Sequence, residues 1–318
     1  MAGPVHKFLI AALLLLVHAG AATSGAHAAE QDQRDLMLQA QVASIASQAR
    51  GRVGVAAVDL DGGGAVYVNG DMPFPMASTA KIAIAATYLD DVEQGNLRLD
   101  QQFAVMVPVS QPAGERGAVA AVRPGEVLLA QDLIERSITR SDNEATDGLI
   151  AAVGGIGRVN AWLSRIGITG QRLDHTMATL VRDDGRIDPA KTIDVRTSST
   201  PRAMVSLLHA IDRGGALTPQ SRAALLDTMT RTSTGRNRIR AGLPEDAILA
   251  HKTGTLADVT DDVGIVRLPD GRHLALAIFV TGPGGHSAHA AIIAQIARTL
   301  YNGYSQPLIG ANQEFVRR

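Results

Sequence analysis

Residues 73–95 read PFPMASTAKIAIAATYLDDVEQG. Pro73 and Pro75 precede an apolar stretch of about three turns that stops at Gly95. Proline is tolerated where a helix begins, and glycine commonly ends one. The stretch is apolar almost all round, so it predicts a central helix buried on every side. At its start, Ser78 and Lys81 stand at i and i+3, which puts hydroxyl and amine on one helix face. The positive end of the helix dipole lies there. Apolar surroundings lower a lysine's pKa and make it a proton acceptor. A serine beside such a lysine can be activated without a His–Asp pair.

Upstream, residues 31–49 place Leu36, Leu38, Val42, Ile45 and Ala49 at helical spacing, the pattern of an amphipathic helix. RVGVAAVDL, DGGG and AVYVNG then read as strand, tight turn and strand. From Leu99 to about Pro244 the pattern is mostly helical. Two helices meet at Ser141-Asp142-Asn143, and Thr200-Pro201 opens another. Residues 172–199 hold no strong period and read as one long loop, a kind that is usually functional or disordered. AILAHKTGT, DDVGIVRLP and HLALAIFVTG return to strands, and AHAAIIAQIARTLY forms a last helix. Strands joined by short turns imply an antiparallel sheet with helices packed on it. The fold class is α/β, in one two-lobed domain.

The 318 residues carry a net charge of −1 with 3% aromatics, which argues against a base-stacking nucleic-acid platform. The absence of cysteine excludes disulfides, thiolate chemistry and cysteine-based zinc sites. His6 and Lys7, the apolar run Phe8–Val17 and the small residues around Ala28 have the layout of a secretory signal peptide over residues 1–29. The run is short for the ~20 residues of a membrane span. Export with cleavage after Ala28 or Ala29 is therefore expected. The remainder, 30–318, would be a single catalytic domain in the periplasm or medium, monomeric and free of the membrane.

Lysine usage singles out positions. Only Lys7, Lys81, Lys191 and Lys252 occur against 26 arginines, and arginine cannot replace lysine where a deprotonatable amine is needed. Lys252 lies in His251-Lys252-Thr253-Gly254-Thr255, where Lys and Thr can hold a carboxylate and Gly permits close approach. In Ser141-Asp142-Asn143 the hydroxyl can relay a proton and the amide can bond a substrate amide. His286 and His289 read as a solvated helix start rather than a metal site, and no cofactor is implied.

SxxK, SDN and KTG in this order resemble the serine β-lactamase and penicillin-binding superfamily, class A in particular, over about residues 31–302. Arg238-Ile239-Arg240-Ala241-Gly242-Leu243-Pro244 and Thr200-Pro201 also match. The resemblance implies a five-stranded antiparallel sheet flanked by helices (about 30–77 and 245–318) and an all-helical lobe (about 78–244). It implies Ser78 as the acylated nucleophile, Lys81 as the group that helps deprotonate it, and Ser141 as the proton relay. Lys252, with Thr253, Gly254, Thr255 and Arg238, would meet the substrate carboxylate. Asn143 would bond the acyl amide, and the Ser78 and Thr255 N–H groups would form the oxyanion hole. The substrate class would be a β-lactam or a peptidoglycan peptide.

The family's loop Arg-Leu-Asp-x-x-Glu begins here as Arg172-Leu173-Asp174, but Met177 stands where the glutamate that activates the deacylating water should be. A thioether cannot take a proton at neutral pH. Val181 replaces an asparagine that holds the same water. The loop also carries Asp183, Asp184, Asp188 and Asp194, any of which could fold back. A β-lactamase with slow or unusual deacylation is expected. The alternatives are a DD-peptidase that uses Lys81 for both steps and a non-catalytic penicillin-binding protein.

Overall fold

The computed structural model describes residues 28–111 and 117–306. The expected signal peptide lies outside them, except that the expected cut falls at the very start of helix α1, residues 28–46. No helix of the described residues is long and apolar enough to cross a membrane.

The main sheet has five antiparallel strands in the order β2-β1-β10-β9-β8. These are β1 (Arg52–Asp59), β2 (Ala65–Val68), β8 (Leu249–Leu256), β9 (Val259–Arg267) and β10 (His273–Thr281). The first hairpin thus joins the C-terminal strands through the β1–β10 pairing, Arg52 opposite Thr281. Strand alternation separates two cores. On one face Val53, Val55, Leu274, Leu276 and Ile278 pack against Leu38, Val42 and Ile45 of α1 and against α10 (His286–Ser305). Each such buried side chain contributes roughly 1.5–3 kcal/mol. On the other face Ala56, Val263, Ala275 and Phe279 meet the helical lobe.

The centre of that lobe is α2 (Lys81–Glu93), preceded by a 3₁₀ turn at Ala77–Ala80. Every residue of α2 from Lys81 to Asp91 is buried, as its all-round apolar sequence requires. The two acids at its far end, Asp90 and Asp91, are buried because Arg158 and Arg165 reach in to pair with them. Around α2 stand α3 (Ala130–Thr139), α4 (Asn143–Ala152), α5 (Ile156–Arg165), α6 (Met177–Arg182), α7 (Pro201–Arg213) and α8 (Pro219–Thr230), while the short α9 (Ile239–Gly242) packs against α10 in the other core.

Two features depart from the sequence reading. The stretch after Leu99 begins with a hairpin, β4 (Gln102–Pro108) paired with β5 (Val122–Leu129), so the lobe is not wholly helical. Leu128 and Leu129 close a strand instead of opening the next helix. β5 is largely exposed, so it lacks the alternation of a half-buried strand and gives little periodic signal. Residues 172–199 are also more ordered than a plain loop. β6 (Gln171–Arg172) and β3 (Phe74–Pro75) both pair with β7 (Ser198–Ser199), and α6 lies between.

Candidate active site

Four structural joints bring the sequence-predicted residues together. Ser78 lies in the 3₁₀ turn, and it alone of that turn is not fully buried. The turn is held from below by strand β8, where Gly254 faces it. A Cβ at Gly254 would stand 2.7 Å from the Met76 carbonyl oxygen and 3.0 Å from the Ala77 Cβ, so no other residue lets the strand come this close. Ser141 sits between α3 and α4, after Thr139 and before the cap residue Asp142, whose carboxylate accepts the Ala145 N–H. Both Ala77 (φ 45°) and Ser141 (φ 59°) are held in the left-handed region, which costs a residue with a side chain roughly 1–2 kcal/mol. The strained residues are Ser141 itself and the neighbour of Ser78.

Lys81 is fully buried. Its Nζ donates to the Ser141 carbonyl at 2.7 Å and to Asn143 Oδ1 at 2.7 Å, and lies 3.3 Å from Ser141 Oγ. Burial brings its pKa down to about 7, against the pull of Asp142 and Asp147 toward the charged form. Lys252 is equally buried, and its Nζ donates to Ser141 Oγ at 2.9 Å and to the Thr253 carbonyl at 2.9 Å. Burial, and then the nearby charge of Lys81, hold Lys252 well below the ordinary lysine range. Two ammonium groups around one hydroxyl disfavour each other, so the pair carries fewer than two charges near neutral pH. Ser141 Oγ thus sits between two buried amines.

On the outer side, Arg238 Nη1 donates to the Gly254 and Asp261 carbonyls at 2.8 and 2.7 Å, and Nη2 to Thr255 Oγ1 at 2.7 Å. Thr253 Oγ1 is 2.7 Å from Thr234 Oγ1. A guanidinium and two threonine hydroxyls along one edge strand suit an anionic oxygen. Behind the strand, His251 Nδ1 bonds Asp262 Oδ1 at 2.8 Å, and Asp262 Oδ2 accepts the Ile239 N–H that starts α9. Asp262 therefore fixes the turn carrying Arg238.

Two acids escaped the sequence reading. Asp147, on α4 one turn after Asn143, accepts the N–H groups of Met177 (2.6 Å) and Ala178 (2.8 Å). Its burial pushes its pKa up, opposed by those two N–H groups. The i, i+4 spacing from Asn143 was a visible signal that it shares the pocket-facing side of α4. Asp261 is entirely buried beneath β8, 2.9 Å from where a Gly254 Cβ would be, with no well-formed hydrogen bond to its carboxyl. Burial pushes it well above the usual carboxylate range.

The loop supplies no replacement acid. Met177 begins α6 and is buried. Asp183 is bound to Arg182 and Arg186, Asp188 to Lys191 and Asp194 to Arg196, while Asp184 accepts the Ala257 N–H. None of the four folds back with a free carboxylate. Asp174 pairs with Arg172 and accepts the Thr197 N–H, and His175 Nδ1 is 2.9 Å from Thr197 Oγ1. The two residues pin the loop's ends together.

His286 is exposed, but His289 is buried, and Thr260 Oγ1 lies 2.9 and 3.2 Å from their Nδ1 atoms. The helix start is solvated at His286, as expected, but not at His289, and one hydroxyl bridges the two rings. The hydroxyl satisfies the ring buried under Gly284. Among the described residues no three His, Asp or Glu side chains are grouped to hold a metal.

A profile of the β-lactamase enzyme family matches residues 37–304. The extended-spectrum β-lactamase PER-1 of Pseudomonas aeruginosa is 30% identical over 280 residues, 86% of this chain and 89% of its own. The solved structure of the last common ancestor of Gram-negative class A β-lactamases (GNCA4) superposes with a TM-score of 0.71 at 32% identity, over 84% of this chain and 99% of that one. A leucine-to-glutamate variant of PBP-A, in an acyl-enzyme complex with penicillin G, gives a TM-score of 0.71 at 27% identity, over 85% and 96%. With the two lysines meeting at Ser141 inside this fold, the chain belongs to the β-lactamase enzyme family, as a serine hydrolase of class A type.

Proposed function

We propose that this chain is an exported, monomeric serine β-lactamase that acylates readily and releases its acyl group slowly. One observation carries the acylation half: Ser141 Oγ lies within reach of two buried amines, 2.9 Å from Lys252 and 3.3 Å from Lys81. Neutral Lys81 takes the Ser78 proton as Oγ attacks the lactam carbonyl. The C–N bond breaks, and the departing nitrogen takes the hydroxyl proton of Ser141, which the lysines restore. The Ser78 and Thr255 N–H groups face the developing oxyanion, donors worth ~3 kcal/mol each. Asn143 gives its Oδ1 to Lys81, which leaves its NH₂ to donate to the acyl-amide carbonyl. Thr253, Gly254, Thr255 and Arg238 form the seat for the substrate carboxylate.

At the position of the missing glutamate the release half lacks a base. Met177 has no acid, Asp147 is spent on two N–H groups, and the loop aspartates are paired. Intact-mass spectrometry after mixing with penicillin G tests both halves. A one-penicillin adduct on Ser78 that forms quickly and decays slowly is expected. No adduct overturns the reading.

The likeness to PBP-A supports a second reading, a DD-peptidase in which Lys81 serves as base for both steps. Release of D-alanine from peptides ending in D-Ala-D-Ala favours it. Inert peptides alongside β-lactam turnover exclude it. A permanent adduct with no peptide turnover would make the protein a non-catalytic penicillin binder.

A further inference from the structure

Glu144 is a charged group that acylation does not use. It is the second residue of α4, directly after Asn143, and is half-buried. It lines a cavity with Val109, Asn143, Met177, Val181 and Arg182. Among the described residues the other charged groups around it are occupied. Arg182 binds the Asp183 carboxylate and the Gly117 and Ala118 carbonyls. Asp142 caps Ala145, and Asp147 holds the backbone of Met177 and Ala178. No hydrogen bond or ion pair joins the Glu144 carboxylate to another described residue. The cavity therefore presents one partly desolvated anion, apolar walls and the Asn143 amide.

We infer that Glu144 selects acyl donors whose side chain carries a protonated amine close to the acyl amide. The inference rests on the reading of Asn143 as the amide's partner. An amide held at Asn143 places the rest of the acyl group in this cavity. Val109, Met177 and Val181 take its hydrocarbon, and a nearby ammonium meets the carboxylate. Aminoacyl penicillins and stem peptides with a free side-chain amine share this chemistry.

Ampicillin and penicillin G differ by one α-amine, so the ratio of their second-order acylation constants isolates the contact. At a pH of about 6.5 the wild type should favour ampicillin by roughly three- to tenfold, the value of a half-buried ion pair. The preference should vanish at a pH of about 9, above the ordinary α-amine pKa of about 8. Glu144→Gln should bring the ratio near one at both pH values, and Glu144→Asp should keep part of it. In a parallel arm, peptides ending in D-Ala-D-Ala carry the preceding lysine amine free or acetylated. A preference for the free amine confined to this arm supports the inference with the peptide as the source. A ratio that Glu144→Gln leaves unchanged in both arms overturns it. No adduct with either penicillin would instead overturn the assignment of Ser78.

Discussion

The pocket floor, where Lys81, Ser141 and Lys252 meet, and the loop from Gln171 to Ser199 lie side by side but follow different rules. On the floor two fully buried lysines hold the half-buried Ser141 between them, and Ala77 and Ser141 are held in strained backbone. In the loop the anchors persist: Asp147 holds the start of α6, and Thr197 ties both ends. What has changed is the side chain the anchors present, a buried thioether in place of an acid. Positioning and chemistry are therefore separable. The loop keeps its framework without the acid, whereas on the floor the framework is made by the same atoms to which the proposed reaction is assigned.

The largest effects should fall on the floor. Ser78→Ala is expected to abolish the penicillin adduct altogether, a loss of at least ~10³-fold in acylation. A remaining adduct in intact-mass spectra would place the nucleophile elsewhere. Next comes proton balance. With Lys81 at about 7, acylation should fall about tenfold for each pH unit below that value, because the amine must be neutral to accept the Ser78 proton. Stopped-flow acylation rates from pH 5 to 9 check it, and a flat profile would sink the role of Lys81 as base. The depressed pKa also has a stability sign. The unfolded lysine binds a proton that the folded one releases between about 7 and 10.5, so this group makes stability rise with pH across that window.

The loop should answer more weakly and only to paired changes. Met177→Glu alone would place a carboxylate against buried Asp147. Like charges raise each other's pKa, and the new acid would stay protonated. The single change is expected to speed deacylation only a few-fold. Met177→Glu with Asp147→Asn removes the repulsion, and a further gain of roughly tenfold or more is expected, within the range of general base catalysis. Adduct decay read by mass spectrometry separates the two variants. Equal decay would mean that α6 does not aim position 177 at the acyl group.

The same contrast governs what could be read from the chain. The floor was legible because its residues are rare types at fixed local spacings. Ser78 and Lys81 share a helix face, and only three lysines lie beyond Lys7. The central helix followed from its all-round apolar sequence, the antiparallel sheet from strands joined by short turns, and its five strands from the family resemblance. Asp147 and Asp261 were not legible, because their roles come from burial against segments distant in sequence. The β4–β5 hairpin was missed for a related reason: it owes its form to pairing rather than to an alternating pattern. The loop's order rests on Thr197, a residue with no distinctive local signal.

Thr197 gives the smallest and most discriminating test. Its buried Oγ1 accepts the N–H groups of Asp174 (3.0 Å) and His175 (3.1 Å) and lies 2.9 Å from His175 Nδ1. With two N–H groups donated to it, its own hydrogen points at the ring nitrogen. Its carbonyl accepts the Met76 N–H, two residues before Ser78, at 3.1 Å. Thr197→Val removes the hydroxyl but keeps that backbone link, and should cost about 1–2 kcal/mol by stranding the two N–H groups. In a domain of this size that lowers Tm by a few degrees, whereas Thr197→Ser should leave it nearly unchanged. Acylation by the valine variant should match the wild type at temperatures below the shifted Tm, because the floor does not use the hydroxyl. A parallel fall in acylation would mean that strain in the loop reaches Ser78 through Met76, and that the two regions move as one.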